Sequence, residues 1–195
     1  NYKKKNQDIV SKVENISGKF IDSRKNSFPG EVVSDFLQEN ENYFPRLEEF
    51  ASNFYNKIQI NNRVGYSSIC EYLHSKHGIE VKDVVPDEKK PFTKQFDPAK
   101  KIFLVSDYLT LETKKLYAGA QVAQLEAGKI IDEYLNSFSF PSEESKKLSK
   151  VALLNYAGAA IIMPYTHFYE ECIKQRYDVE LLQNTFAVSF EQVAH

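Results

Sequence analysis

Apolar positions recur at spacings of three and four over most of the chain, with a central stretch where the period shortens towards two. Ile9, Val13, Ile16 and Phe20 form the first stripe and predict an amphipathic helix over about residues 7–24. Pro29-Gly30 breaks the pattern, and the helix after it is expected to bury Val32, Val33, Phe36 and Leu37. Pro45 suits the first turn of a further helix, where its missing N–H leaves nothing unsatisfied, with Leu47, Phe50, Ala51, Phe54 and Tyr55 inward. Ser67 or Ser68 can cap a helix carrying Ile69, Tyr72 and Leu73, and Gly78 is placed to end it in a left-handed conformation.

The β-branched Ile79, Val81, Val84 and Val85, the loose alternation from Phe92 to Phe96, and the turn Asp97-Pro98 before Ile102 to Val105 predict two or three short antiparallel strands. From about Thr110 to Tyr134 runs the longest predicted helix, with a stripe of Leu116, Ala120, Ala123, Ala127, Ile130 and Tyr134 whose small residues admit a close neighbour. Ser142 is placed to cap a helix that continues to Met163, where Pro164 stops it. Three short helices complete the pattern, over about 166–175, over 179–186 from Asp178, and one opening at Ser189, where Ser189 and Gln192 make a capping box. That last helix has barely begun at His195, so the natural chain is expected to continue. The fold class is α+β, mostly helical, with a small antiparallel sheet of two or three strands.

A length of 195 residues with 42% apolar content suffices for one medium domain with its own core, and argues against extended disorder. Two cysteines far apart, Cys70 and Cys172, do not make a secreted disulfide framework, and with no export signal or membrane-length apolar run the expected location is cytoplasmic. A net charge of −2 gives no positive field to attract nucleic acid. The first 25 residues are the exception: there Lys3, Lys4, Lys5, Lys12, Lys19, Arg24 and Lys25 outnumber the acids, as suits a linker. Residues 1–28 are therefore read as a linker or dimerisation helix and 29–195 as the folded domain. The segment 178–195 has the outline of a helix-turn-helix, but Asp178, Glu180 and Glu191 make it acidic and would repel phosphate. Packing on the scaffold, or dimerisation, suits it better.

Three stretches carry a resemblance: Tyr72–Val81 (Y-L-H-S-K-H-G-I-E-V), Leu154–Tyr165 (L-N-Y-A-G-A-A-I-I-M-P-Y) and Arg176–His195 (R-Y-D-V-E-L-L-Q-N-T-F-A-V-S-F-E-Q-V-A-H). Together, over about residues 30–195, the chain resembles the ImmA/IrrE family of zincin-like metallopeptidase domains found beside bacterial helix-turn-helix regulators. Within it, the closest likeness is to the short-chain fatty-acyl regulators, which include the methylcitrate and glyoxylate-bypass regulators of actinobacteria. The resemblance implies a zincin-like helix pair beside the sheet.

Members that cleave peptides carry H-E-x-x-H on the long helix, since two imidazoles one turn apart chelate zinc and the glutamate acts as base on its water. Here Gln121 and Leu125 stand at the histidine positions and Val122 at the base, while the third, carboxylate ligand has only apolar Val151 to Leu154 to correspond to it. No catalysis, catalytic residue, metal or cofactor is expected. What remains is a cavity between the long helix, the 143–163 helix and the sheet, with Tyr117, Gln121, Gln124, Asn155, Tyr156, Met163, Tyr165, Tyr169 and Arg176 as candidate ligand-binding residues; each also suits an ordinary core position with a satisfied polar end. The resemblance implies a short-chain acyl-CoA as the ligand. Its phosphates need cations, for which Lys129, Lys146, Lys147, Lys150, Lys174 and Arg176 are candidates, although most also suit a solvated helix face.

The resemblance also implies DNA contact through a preceding domain absent from this chain, no membrane partner, and a homodimer, because such regulators read two half-sites. Two alternatives stay open, an active zinc metallopeptidase that cleaves a repressor and a pure protein-interaction module. Cys70, His74 and His77, at i, i+4 and i+7, share one side of a continuous helix and would suit a structural metal if a fourth ligand existed. Two cysteines cannot complete the four thiolates of an iron–sulfur cluster, and none is expected.

Overall fold

The computed structural model of the chain describes residues 28–194, so the expected 7–24 helix lies outside the described residues. The elements follow in the order α1 (Pro29–Glu39), α2 (Pro45–Ile58), α3 (Tyr66–His77), β1 (Glu80–Val84), β2 (Lys94–Asp97), β3 (Ile102–Ser106), α4 (Leu111–Glu126), α5 (Gly128–Ser137), α6 (Glu143–Ile162), α7 (Tyr165–Lys174), α8 (Val179–Phe186) and α9 (Phe190–Ala194). They divide into two compact units, one made of the residues up to Tyr43 with Asp132–Ala152, the other of Phe44–Ile131 with the residues from Leu153 onwards.

The smaller unit closes on aromatic rings. Phe36, fully buried on the inner face of α1, meets Phe138 edge-on with ring centroids 5.3 Å apart and Phe140 at 5.4 Å. Ser142 caps α6 as its sequence predicts, its hydroxyl accepting the Ser145 N–H at 3.1 Å. Pro29 opens α1 itself rather than standing before it.

In the larger unit Leu47, Ala51, Phe54 and Tyr55 form the buried stripe of α2, and Ile69 and Leu73 that of α3. Helix α3 starts at Tyr66 on Gly65 without a side-chain cap, two or three residues earlier than a cap at Ser67 or Ser68 predicts. It ends at Gly78, whose φ of 67° lets its N–H reach the His74 carbonyl at 2.9 Å while the Ile79 N–H reaches Leu73 at 3.1 Å.

The sheet departs from the expected antiparallel arrangement in one pair. Its order is β1-β3-β2: β2 is antiparallel to β3, with Lys94 opposite Val105, but β1 is parallel to β3, with Glu80 opposite Ile102. The chain reverses once on entering β2 and again at the Asp97 turn, so β3 runs in the direction of β1 and inserts beside it. Asp97 fixes that turn by accepting the N–H groups of Ala99 and Lys100. Phe103 and Val105 are buried on one face, and Ile102 and Leu104 are half-buried on the other.

The helix predicted over Thr110–Tyr134 is two helices. Ala127 leaves the helical region with φ −107° and ψ 7°, and Gly128, a weak helix former, begins α5. The buried positions after the break are Ala127, Ile131 and Leu135, while Ile130 and Tyr134 are half-buried.

Candidate functional site

Helix α4 is buried on more than one side from Lys114 to Ala123, two lysines included. Thr110 caps it, and its two lysines are satisfied locally. Lys114 Nζ donates to Asp83 Oδ2 at 2.9 Å and Asp107 Oδ1 at 2.7 Å, and these hydrogen bonds raise its pKa. Lys115 Nζ donates to the Phe186 and Ala187 carbonyls at 2.9 and 2.6 Å, closing the C-terminus of α8; burial pushes its pKa down to about 8. Arg63 Nε holds the neighbouring Thr185 carbonyl at 2.9 Å.

One turn further along, α4 meets α6 backbone to backbone. A methyl group on Gly158 would stand 2.8 Å from both the Ala120 nitrogen and the Leu116 carbonyl oxygen, and one on Gly119 would stand 3.0 Å from the Gly158 oxygen. Only glycine permits so close a crossing. Gln121 and Asn155 lie within about one helical turn of it.

Gln121 is only 4% exposed, yet its Nε2 has no hydrogen-bond partner. The buried Oδ1 of half-buried Asn155 is likewise unpaired. A buried donor and a buried acceptor are thus both unmet beside the helix crossing. Most buried polar atoms are paired, because leaving one unmet costs about 1–3 kcal/mol. Beside Gln121, Val122 is fully buried hydrocarbon and Leu125 is part-exposed, so this stretch of α4 presents an amide and two aliphatic side chains. The Nε2 of Gln121 can donate but cannot ligate a cation, and these residues do not fit a zinc ion.

Tyr156 is set by a carboxylate that the sequence pattern did not single out. Glu48, buried on α2, accepts the Tyr156 hydroxyl at 2.7 Å through Oε1 and the Tyr165 N–H at 3.1 Å through Oε2, so a negative charge sits at the N-terminus of α7. The Tyr156 ring packs edge-on against Phe44 at 5.0 Å. Tyr117 is half-buried, with Lys94 Nζ 4.2 Å from its ring centroid. Met163 packs against the cluster of Ile162, Cys172, Leu182, Phe186, Val188 and Val193, which docks α8 and α9 on the scaffold.

Of the nine candidate residues, Tyr117, Gln121, Asn155, Tyr156 and Met163 are therefore buried or half-buried, whereas Gln124, Tyr165, Tyr169 and Arg176 are exposed. Among the candidate phosphate-binding cations, Lys146 donates to Asn136, Lys150 pairs with Asp132 and Lys174 with Glu171. A shallow open depression of about 230 Å³, lined by Lys82, Gln95, Asp97, Lys100, Ile102 and Leu104, lies on the sheet face opposite Phe103 and Val105.

Cys70, His74 and His77 do not converge. His77 Nε2 lies 2.8 Å from Glu126 Oε1, which also accepts the Tyr72 hydroxyl at 2.8 Å. His74 is exposed, and burial raises the Cys70 thiol to about 11. Among the described residues no group of three or more His, Cys, Asp and Glu side chains is placed to hold a metal ion.

A family model matches residues 75–195, the stretch from the end of α3 through the sheet and the crossed helices to the C-terminal helices. The chain belongs to the IrrE N-terminal-like domain family of the M78 peptidases. It is 28% identical over 169 residues to the HTH-type transcriptional regulator RamB of Mycobacterium tuberculosis, covering 87% of this chain and 35% of that protein. It is 26% identical over 169 residues to the regulator PrpR of the same species, covering 86% and 34%. A propionyl-CoA carboxylase regulator of Cereibacter sphaeroides is 25% identical over 167 residues, again covering 86% and 34%. A solved Mycobacterium tuberculosis transcriptional regulator superposes with a TM-score of 0.78 at 26% identity, covering 87% of this chain and 51% of that one. The chain thus spans about a third of the length of the curated relatives it matches. No helix among the described residues is long and apolar enough to cross a membrane.

Proposed function

We propose that this chain is a non-catalytic ligand-sensing domain of a bacterial helix-turn-helix transcription regulator, and that its ligand is a short-chain acyl-CoA. The observation that carries the reading is the pair of unmet buried polar atoms, Gln121 Nε2 and Asn155 Oδ1, beside the helix crossing, where the family resemblance implies that peptidase members hold their metal. An acyl thioester with its pantetheine amides offers a carbonyl to the first and an N–H to the second, inside apolar walls. Tyr117, Tyr156 and Met163 line the acyl and pantetheine arm, and the exposed Gln124, Tyr165, Tyr169 and Arg176 lie towards the nucleotide end. The names of the regulators to which the chain is similar support the ligand class and the regulatory role.

Ligand shifts a population: it favours one arrangement of α4 against α6, and only its differential affinity for the two arrangements moves the equilibrium. DNA contact is made by a part of the protein outside these residues, and two half-sites are read by a homodimer. Thermal-shift titration with acetyl-CoA, propionyl-CoA and free CoA tests the ligand. A ligand bound only by the folded state raises the midpoint with its concentration, whereas zinc should leave it unchanged. A shift with zinc and none with any acyl-CoA would favour an active peptidase instead.

A further inference from the structure

Among the described residues, five lysines are at least partly buried: Lys94, Lys114, Lys115, Lys146 and Lys150. Four of them donate to an oxygen, Lys114 to Asp83 and Asp107, Lys115 to the Phe186 and Ala187 carbonyls, Lys146 to Asn136 and Lys150 to Asp132. Lys94 has no such partner among the described residues, and its Nζ stands instead over the Tyr117 ring, 4.2 Å from the centroid. An aromatic face attracts a cation but does not replace a carboxylate. Burial lowers the Lys94 pKa, and no neighbouring carboxylate raises it back. An ammonium is thus held half out of water without a counter-ion.

Its place in the fold narrows what could supply that charge. Lys94 stands opposite the buried Val105 in the pairing of β2 with β3, so its side chain leaves the sheet on the face turned to α4. Tyr117 precedes Gln121 by four residues on α4, which puts both on one face with their Cβ atoms about 5–6 Å apart. The Lys94 ammonium therefore lies close to the unmet Gln121 Nε2. An extended pantetheine arm, about the length of four extended residues, sets the CoA diphosphate roughly 14 Å from the thioester. That is too far for Lys94 if Gln121 takes the thioester carbonyl, so the anion must belong to the acyl group.

We infer that Lys94 is a specificity-determining residue that selects acyl thioesters carrying a free carboxylate at the far end of the acyl group, such as a malonyl or succinyl thioester. The carboxylate accepts a charge-assisted hydrogen bond from Lys94, whereas a plain alkyl acyl group leaves the ammonium unpaired.

The inference rests on the acyl thioester of the proposed function. Malonyl-CoA and propionyl-CoA differ in a carboxylate against a methyl group at one position, so calorimetric titration of both into the chain isolates the contact. Malonyl-CoA is expected to bind at least about tenfold more tightly than propionyl-CoA. That ratio should fall to about one or below in Lys94→Met and persist in Lys94→Arg, which keeps the charge. Methionine retains the apolar stem against Tyr117, so the variant should match the parent's circular dichroism. Equal affinities in the parent chain would overturn the inference and leave the acyl thioester site standing. So would an unchanged ratio in Lys94→Met, including the case where both ligands weaken alike, which would assign Lys94 to the nucleotide phosphates. Binding of neither ligand would overturn both readings.

Discussion

The contact between Gly119 and Gly158 carries a prediction with two opposite signs. In Gly158→Ala the new methyl carbon would sit 2.8 Å from two backbone atoms of α4 and 3.2 Å from a third, so the helices must move apart. Overpacking of this kind costs about 1–3 kcal/mol, and a clash against backbone rather than a flexible side chain belongs at the upper end. Alanine recovers about 1 kcal/mol of helix propensity, leaving a net loss of about 2 kcal/mol. For a chain of this length that lowers the melting temperature by about 4–8 °C. In Gly128→Ala the added methyl meets nothing within 4 Å, so propensity acts alone and the midpoint should rise by about 2–3 °C. Thermal unfolding followed by circular dichroism measures both. A neutral or stabilising Gly158→Ala would refute the close crossing on which the placement of Gln121 and Asn155 depends.

Removing the carboxylate in Glu48→Ala deprives Tyr156 and the start of α7 of their acceptor and should cost about 2–3 kcal/mol in urea unfolding, with Glu48→Gln milder because its amide oxygen still accepts one bond. For Lys115 the folded pKa lies below the ordinary 10.5, so between about pH 8 and pH 10 the unfolded chain binds more protons and stability gains with rising pH. Lys115→Met should lose that rise, and an identical pH profile in the two proteins would contradict the assignment. Burial raises Glu126, but the hydrogen bonds from Tyr72 and His77 outweigh it and leave its pKa lowered. Its contribution is therefore present above the ordinary carboxylate range and lost as pH falls through the folded pKa, and Tyr72→Phe should make acid unfolding begin at a higher pH.

Elements whose cause is local were legible in the sequence. Pro45 starts α2, Gly78 ends α3, the Asp178 side chain accepts the Leu181 N–H to start α8, and Ser189 and Gln192 bond reciprocally across the first turn of α9. Features fixed by distant partners were not. The parallel pairing of β1 with β3 depends on which side of β1 the later strand enters, which no period-two pattern encodes. Glu48 finds Tyr156 across 108 residues, and Lys115 finds the carbonyls of α8 across 71 and 72, so both charges look solvent-facing in the sequence. Glu48 left one trace, a carboxylate on the inward stripe between Leu47 and Ala51. That Gln121, Val122 and Leu125 carry no imidazole or carboxylate is read from identity alone. The exposure of Gln124, Tyr165, Tyr169 and Arg176 was not legible, since helical spacing gives a face but not what lies against it.

The central claim is that an amide has replaced a metal ligand to receive an acyl thioester. Calorimetric titration of propionyl-CoA into the parent chain and into Gln121→Leu, which keeps the volume and removes the donor, tests it most directly. Saturable binding to the parent and affinity weaker by about three- to tenfold in the variant, whose ligand-free thermal midpoint should be no lower than the parent's because an unmet donor is gone, is the predicted result. No heat with the parent chain, or equal affinity in the two proteins, would contradict it.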